Sequence, residues 1–211
     1  MAGAATEERW IQLCCRLGRS DPGAMWTILG ALYGHPPRAY HNLGHIGACL
    51  VLLDEHRSLA ADPDLLEAGL WLHDCVYDPR RSDNEARSAA IGAVFVHELG
   101  LGEKLEAQLK SLIMATTHRA LTLAGDEALI ADIDMAILGA APDEYDRYAA
   151  AIRQEYSFVA DMDFRRGRGA FLRTLSKRDR LYHTPVFETV CRGPALQNIA
   201  RELRRLGEES T

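Results

Sequence analysis

Apolar residues recur along this chain at intervals of three and four, the spacing that gathers them on one face of an α-helix. Trp10, Leu13, Cys14 and Leu17 form the first stripe, and Gly18 follows as a stop. Asp21-Pro22 reads as a cap with proline at the first helical position, ahead of Met25, Ile28, Leu29 and Leu32 as a buried stripe; Gly34 ends it. Asn42 is placed to cap a helix carrying Ile46, Cys49, Leu50 and Leu53. Asp62-Pro63 opens another, in which Leu65, Leu66, Leu70 and Trp71 run up to His73-Asp74. Ser82 and Glu85 have capping-box spacing ahead of Ile91, Val94 and Phe95. Further helices are predicted at Leu105, Leu109, Leu112 and Ile113, at Pro142 with Tyr145, Tyr148, Ile152 and Val159, and from Pro194 with Leu196, Ile199, Leu203 and Leu206. Hardly any segment alternates with the period of two that a half-buried strand requires. No repeat or Ser/Gly-rich linker marks a boundary, so one all-α domain over residues 1–211 is expected.

Composition narrows the class. With 211 residues, 47% apolar and 26% charged, the chain can bury a full core and is too apolar for a disordered one. No apolar run approaches the roughly 18 residues of a membrane helix. The first residues, MAGAATEERWIQ, lack the basic start and apolar stretch of a secretory signal. Five cysteines (Cys14, Cys15, Cys49, Cys75, Cys191) include no CxxC pair, which disfavours a disulfide scaffold or zinc ribbon; a reducing cytoplasm is expected. The net charge of −6 is unevenly spread: residues 164–206 carry eleven basic residues, ten of them arginine, against three acids. Such a run can hold phosphate oxygens or neutralise the acidic remainder. The overall acidity argues against a nucleic-acid partner.

Chemistry concentrates in three segments, YHNLGHI at 40–46, WLHDCVYDP at 71–79 and ADIDMAILG at 131–139. His41 and His45 are four apart, on one face if that segment is helical. His73 and Asp74 follow Leu70, Trp71 and Leu72, while Asp132 and Asp134 sit among Ile130, Ile133 and Ile137. Ionisable pairs in apolar helices need a partner or a metal to offset desolvation. Imidazole and carboxylate ligands from three separate helices suit a divalent transition metal. On a helix, Asp132 and Asp134 point about 200° apart, so only one of them faces such an ion. The remaining histidines, His35, His56, His97 and His183, belong to no constellation.

The order His, His-Asp, Asp on a helical chain resembles the HD-domain superfamily of metal-dependent phosphohydrolases. YHNLGHI, LHDCVYDP with SDNEARSA, ATTHRA, DIDMAILG, IRQEY and the late QNIARE look like its predicted phosphohydrolase branch, over a motif core of about residues 33–203. The resemblance implies a single HD-domain helical bundle and a metal held by His45, His73, Asp74 and Asp134. The choice of His45 follows a likeness of YHN-x-x-H to cyclic-nucleotide phosphodiesterases, in which the second His binds metal and the first protonates the leaving oxygen. That makes His41 the implied general acid. Asp134, followed by Met135 and Ala136, matches the Asp-apolar-small pattern of the relatives, with Asp132 as the fallback. The implied cofactor is one or two divalent ions (Mn, Mg, Co, Ni, Zn or Fe), with Asp74 bridging if there are two. His118 is then a candidate ligand of the second ion, and Glu85 a group ordering a metal-bound water or a helix-capping partner. Arg38 and the arginines of 165–180 are candidate phosphate contacts. The implied partner is a small-molecule phosphate ester, with no membrane; apolar helix surface would support a homodimer without demanding one. The resemblance also allows two other classes, a catalytically silent nucleotide- and metal-binding module and a di-iron oxygenase.

Overall fold

The structure, a computed structural model, describes residues 5–19, 24–36 and 38–207. Among them are ten α-helices, two short 3₁₀ turns and no strand; the all-α expectation holds. No described helix is long and apolar enough to cross a membrane. The chain gathers into two compact units, residues 1–133 and 134–211.

The first unit holds α1 (Glu7–Arg16), α2 (Met25–Tyr33), α3 (Leu43–His56), α4 (Pro63–Leu72), α5 (Asn84–Leu99) and α6 (Glu103–Ala115), and most of α7 (Gly125–Met135). Its axis is α4, every residue of which from Leu65 to Leu72 is buried. A helix that is apolar all round belongs in the middle of a core, and α4 packs against α1, α3, α5 and α6. Asp62 caps it, its Oδ1 accepting from the Leu65 amide at 3.0 Å, with Pro63 in the first turn. Trp10 meets Trp71 edge-on at 5.6 Å and Phe95 at 5.0 Å, an aromatic cluster joining α1, α4 and α5. Gly69 is the close approach: a Cβ there would lie 2.9 Å from Ile130 Cδ1 and 3.4 Å from Leu112 Cβ.

One buried charged residue, Glu67, lies inside this helix. Glu67, 1% exposed, accepts from Arg9 Nε at 2.9 Å, Arg16 Nη2 at 2.7 Å and Arg57 Nη1 at 3.1 Å. Three guanidiniums supply the hydrogen bonds that burial of a carboxylate demands.

Several expected helix boundaries move. The Asp21-Pro22 cap lies outside the described residues; α2 starts after Ala24, which makes no side-chain capping bond. Its buried residues are Met25, Leu29 and Tyr33, while Ile28 is 43% exposed. The Ser82–Glu85 capping box does not form, because Asp83 is the cap residue and Glu85 falls one position short of where the box needs it. Asn84 closes the turn instead, its Oδ1 accepting from the Asp78 amide at 3.0 Å and its Nδ2 donating to the Asp78 carbonyl at 2.9 Å.

The second unit holds a 3₁₀ turn (Ala136–Gly139), α8 (Pro142–Glu155), α9 (Asp161–Ser176) and α10 (Pro185–Arg205). Pro142 starts α8 as expected, but the helix ends before Val159. Pro194 does not start the last helix. Pro185 occupies its first turn, where a missing amide hydrogen costs nothing, and Pro194 sits inside. Helix α9 was hidden in sequence by its arginines. Arg168, on α9, is buried and gives Glu202 two bonds, Nε to Oε1 at 2.9 Å and Nη2 to Oε2 at 3.2 Å. Tyr145 also donates to Glu202. Arg165 and Arg166 pair with Asp161 and Asp163 on the same helix, so these three arginines neutralise local carboxylates.

Candidate metal centre

The end of α4 orients one candidate ligand, His73. The last carbonyls of a helix lack intrahelical partners, and the Leu70 carbonyl lies 2.9 Å from His73 Nδ1. A carbonyl can only accept, so Nδ1 carries the hydrogen, and Nε2 is the nitrogen left for a metal ion. His73 is 1% exposed.

His45 comes from α3, whose start is set by Asn42. The Asn42 Oδ1 accepts from the Gly44 amide at 2.8 Å, and its Nδ2 donates to the carbonyls of Arg38 and Ala39 at 3.2 and 3.1 Å. One turn on, His45 is 6% exposed and points at α4. Its Nε2 lies 3.3 Å from His73 Nε2 and 3.7 Å from Asp74 Oδ2, and His73 Nε2 is 3.3 Å from the same oxygen.

These three atoms form a small triangle, with the Asp74 side chain 14% exposed at its rim. A tetrahedral ion holding N and O ligands at about 2.0–2.1 Å has ligand–ligand edges of about 3.4 Å. The observed edges of 3.3, 3.3 and 3.7 Å fit that figure. The chemistry fits as well: two imidazole nitrogens and a carboxylate oxygen are ligand types that a divalent transition metal takes. The three residues are a group able to hold a metal ion.

Other expected residues take varied positions. His41 is not on the α3 face with His45; it lies in the turn before the helix, which begins after Asn42. The two rings are nevertheless neighbours, with centroids 6.1 Å apart, and His41 stacks on Tyr77 at 4.1 Å. Both Asp132 and Asp134 lie on α7; Asp132 is 1% exposed, and the half-buried Asp134 is the first residue of the second unit. His118 follows α6 with a φ of +53°, the left-handed region that few residues other than glycine adopt. Glu85 is half-buried in the first turn of α5. Arg38, a candidate phosphate contact, gives three bonds to backbone carbonyls.

The loop after His73-Asp74 is anchored by residues the sequence reading left without a role. Ser88, fully buried on α5, accepts from the Val76 amide at 3.0 Å and donates to the Val76 carbonyl at 3.3 Å. With Asn84 it fastens residues 76–78 to one face of α5. Their spacing of four in SDNEARS was the available signal. Cys75 is a packing residue: burial pushes its thiol up to about 12, so it is no nucleophile at neutral pH.

No family model, no curated protein and no solved structure matches the chain.

Proposed function

We propose that the chain is a metal-dependent phosphohydrolase acting on a small phosphate ester, a nucleotide or another phosphorylated metabolite. The observation that carries this reading is the buried triangle of His45 Nε2, His73 Nε2 and Asp74 Oδ2, with the His73 tautomer set by Leu70. The likeness of its motifs to the HD superfamily supplies the reaction class, with Asp134 as the expected fourth ligand.

A divalent ion held there would polarise a phosphoryl oxygen and make water more acidic. His45 and His73 would hold such an ion through Nε2, and Asp74 through its carboxylate. His41, its ring centroid 6.1 Å from that of His45, is the group that would protonate the leaving oxygen. A water oxygen bonds to phosphorus as the ester P–O bond breaks; His41 gives up its proton to the leaving oxygen and regains one from the proton the water releases. Tyr77 stacks on the His41 ring at 4.1 Å and restrains its rotation.

The test is manganese-dependent turnover of a pooled set of nucleotides, cyclic nucleotides and small phosphate esters, read by mass spectrometry, with Asp74→Ala alongside. Metal-dependent loss of one compound class by the wild type alone is expected. Bound metal with tight nucleotide binding and no turnover would favour the silent module instead. An iron-dependent colour with oxygen consumption would favour the oxygenase.

A further inference from the structure

Arg38 spends its guanidinium on the protein backbone. Its Nη1 donates to the carbonyls of His41 at 2.9 Å and Asp74 at 2.7 Å, and its Nη2 to the carbonyl of Cys75 at 2.9 Å. These carbonyls belong to two separate segments, the turn that leads into α3 and the loop that leaves α4. Each segment carries a residue of the candidate site. The guanidinium also lies 5.1 Å from the Tyr33 ring centroid and 5.7 Å from that of Tyr77. Tyr33 is anchored in turn, its hydroxyl donating to the Trp71 carbonyl at 2.9 Å, and Tyr77 stacks on His41 at 4.1 Å. Arg38 therefore reaches His41 twice, through its carbonyl and through the ring stacked on it.

We propose that Arg38 is the positioning residue of the metal centre: it clamps the His41 turn to the His73-Asp74 loop and so holds the ligand triangle in shape before an ion arrives. The proposal rests on the metal reading of His45, His73 and Asp74. Its physical basis is the spread of the donors. A planar fork with separated N–H groups can serve three carbonyls of two segments at once, whereas a lysine ammonium is a point donor and cannot span them. Without the clamp, the two loops must be ordered at the moment of metal binding, and that ordering appears as lost affinity. Groups that orient metal ligands typically contribute about 10–100-fold to affinity.

The experiment is a Co(II) titration of the full chain after chelator treatment, following the visible d–d bands, on the wild type, Arg38→Ala, Arg38→Lys, His73→Ala and the exposed-site control Arg87→Ala. Circular dichroism of each variant reports folding. Wild type and Arg87→Ala are expected to bind alike, and His73→Ala to lose the bands. Arg38→Ala and Arg38→Lys are expected to keep their helicity and bind about 10–100-fold more weakly. Added methylguanidinium should recover part of the Arg38→Ala loss. A wild type without Co(II) bands overturns the metal reading itself. A wild type that binds, beside folded Arg38 variants of unchanged affinity, overturns the clamp and leaves the metal reading standing. Should Arg38→Ala not fold, Arg38→Lys decides, since a purely structural arginine would leave its Co(II) affinity at the wild-type value.

Discussion

At the scale of single residues, the buried charges divide by what surrounds them. Glu67 is satisfied entirely by protein, with three guanidiniums on one carboxylate. Replacing it by alanine leaves those cations facing one another, though each is exposed enough to regain water. Glu67→Ala is therefore expected to cost about 2–3 kcal/mol, below the about 3–5 of a fully buried pair; urea unfolding followed by tryptophan fluorescence measures it. The His45–His73–Asp74 triangle differs, since it joins two imidazoles and one carboxylate, a set able to hold a metal ion. Thiols provide a second residue-scale check. Burial pushes Cys14 up to about 11 and Cys75 up to about 12, so both stay neutral and hidden at pH 8, whereas Cys15 is exposed. Alkylation of the native protein at that pH should mark Cys15 first and reach Cys75 only on unfolding; mass spectrometry of the digest reads the order.

Among the elements, packing rather than propensity decides the departures from the expected pattern. Helix α10 carries Pro194 in its interior and forgoes one backbone hydrogen bond there. It also passes close to the 3₁₀ turn at Gly139, where a Cβ would sit 2.9 Å from both the Cβ and the carbonyl oxygen of Cys191. Asn198 fastens the same turn, its Nδ2 donating to the Leu138 and Ala140 carbonyls at 2.9 and 2.8 Å. Backbone cannot step aside as a side chain can, so Gly139→Ala should destabilise the second unit by about 1–3 kcal/mol, a loss visible in denaturant unfolding followed by circular dichroism. On α5, the expected capping box gave way to Asp78 and Asn84 because the helix starts one residue later.

For the whole molecule, the division into two units gives a way to watch one of them. All three tryptophans, Trp10, Trp26 and Trp71, lie in the first unit, so their fluorescence follows the unit that carries the ligand triangle. An ion that binds only the folded state stabilises it by about 2.7 kcal/mol at a hundred times its Kd. That corresponds to a rise of roughly 5–10 °C in the midpoint for a chain of this size. Co(II) or Mn(II) should raise the fluorescence midpoint of the wild type by that amount, chelator should reverse it, and His73→Ala should show no rise.

Much of this protein is legible in its sequence because it depends on neighbours in the chain. The apolar period of α1, α3, α4 and α6, the Asn42 and Asp62 caps and the proline start of α8 are local features, readable from a few adjacent residues. So was the pairing of His73 with Asp74 at the end of an apolar helix. What tertiary structure alone decided involves groups distant in the chain or bonds to backbone. Nothing in the letters says that Arg38 reaches the carbonyls of Asp74 and Cys75, that Leu70 sets the His73 tautomer, or that Arg168 is buried against Glu202. An arginine in sequence looks like surface charge, and only the partner brought to it by folding makes burial affordable.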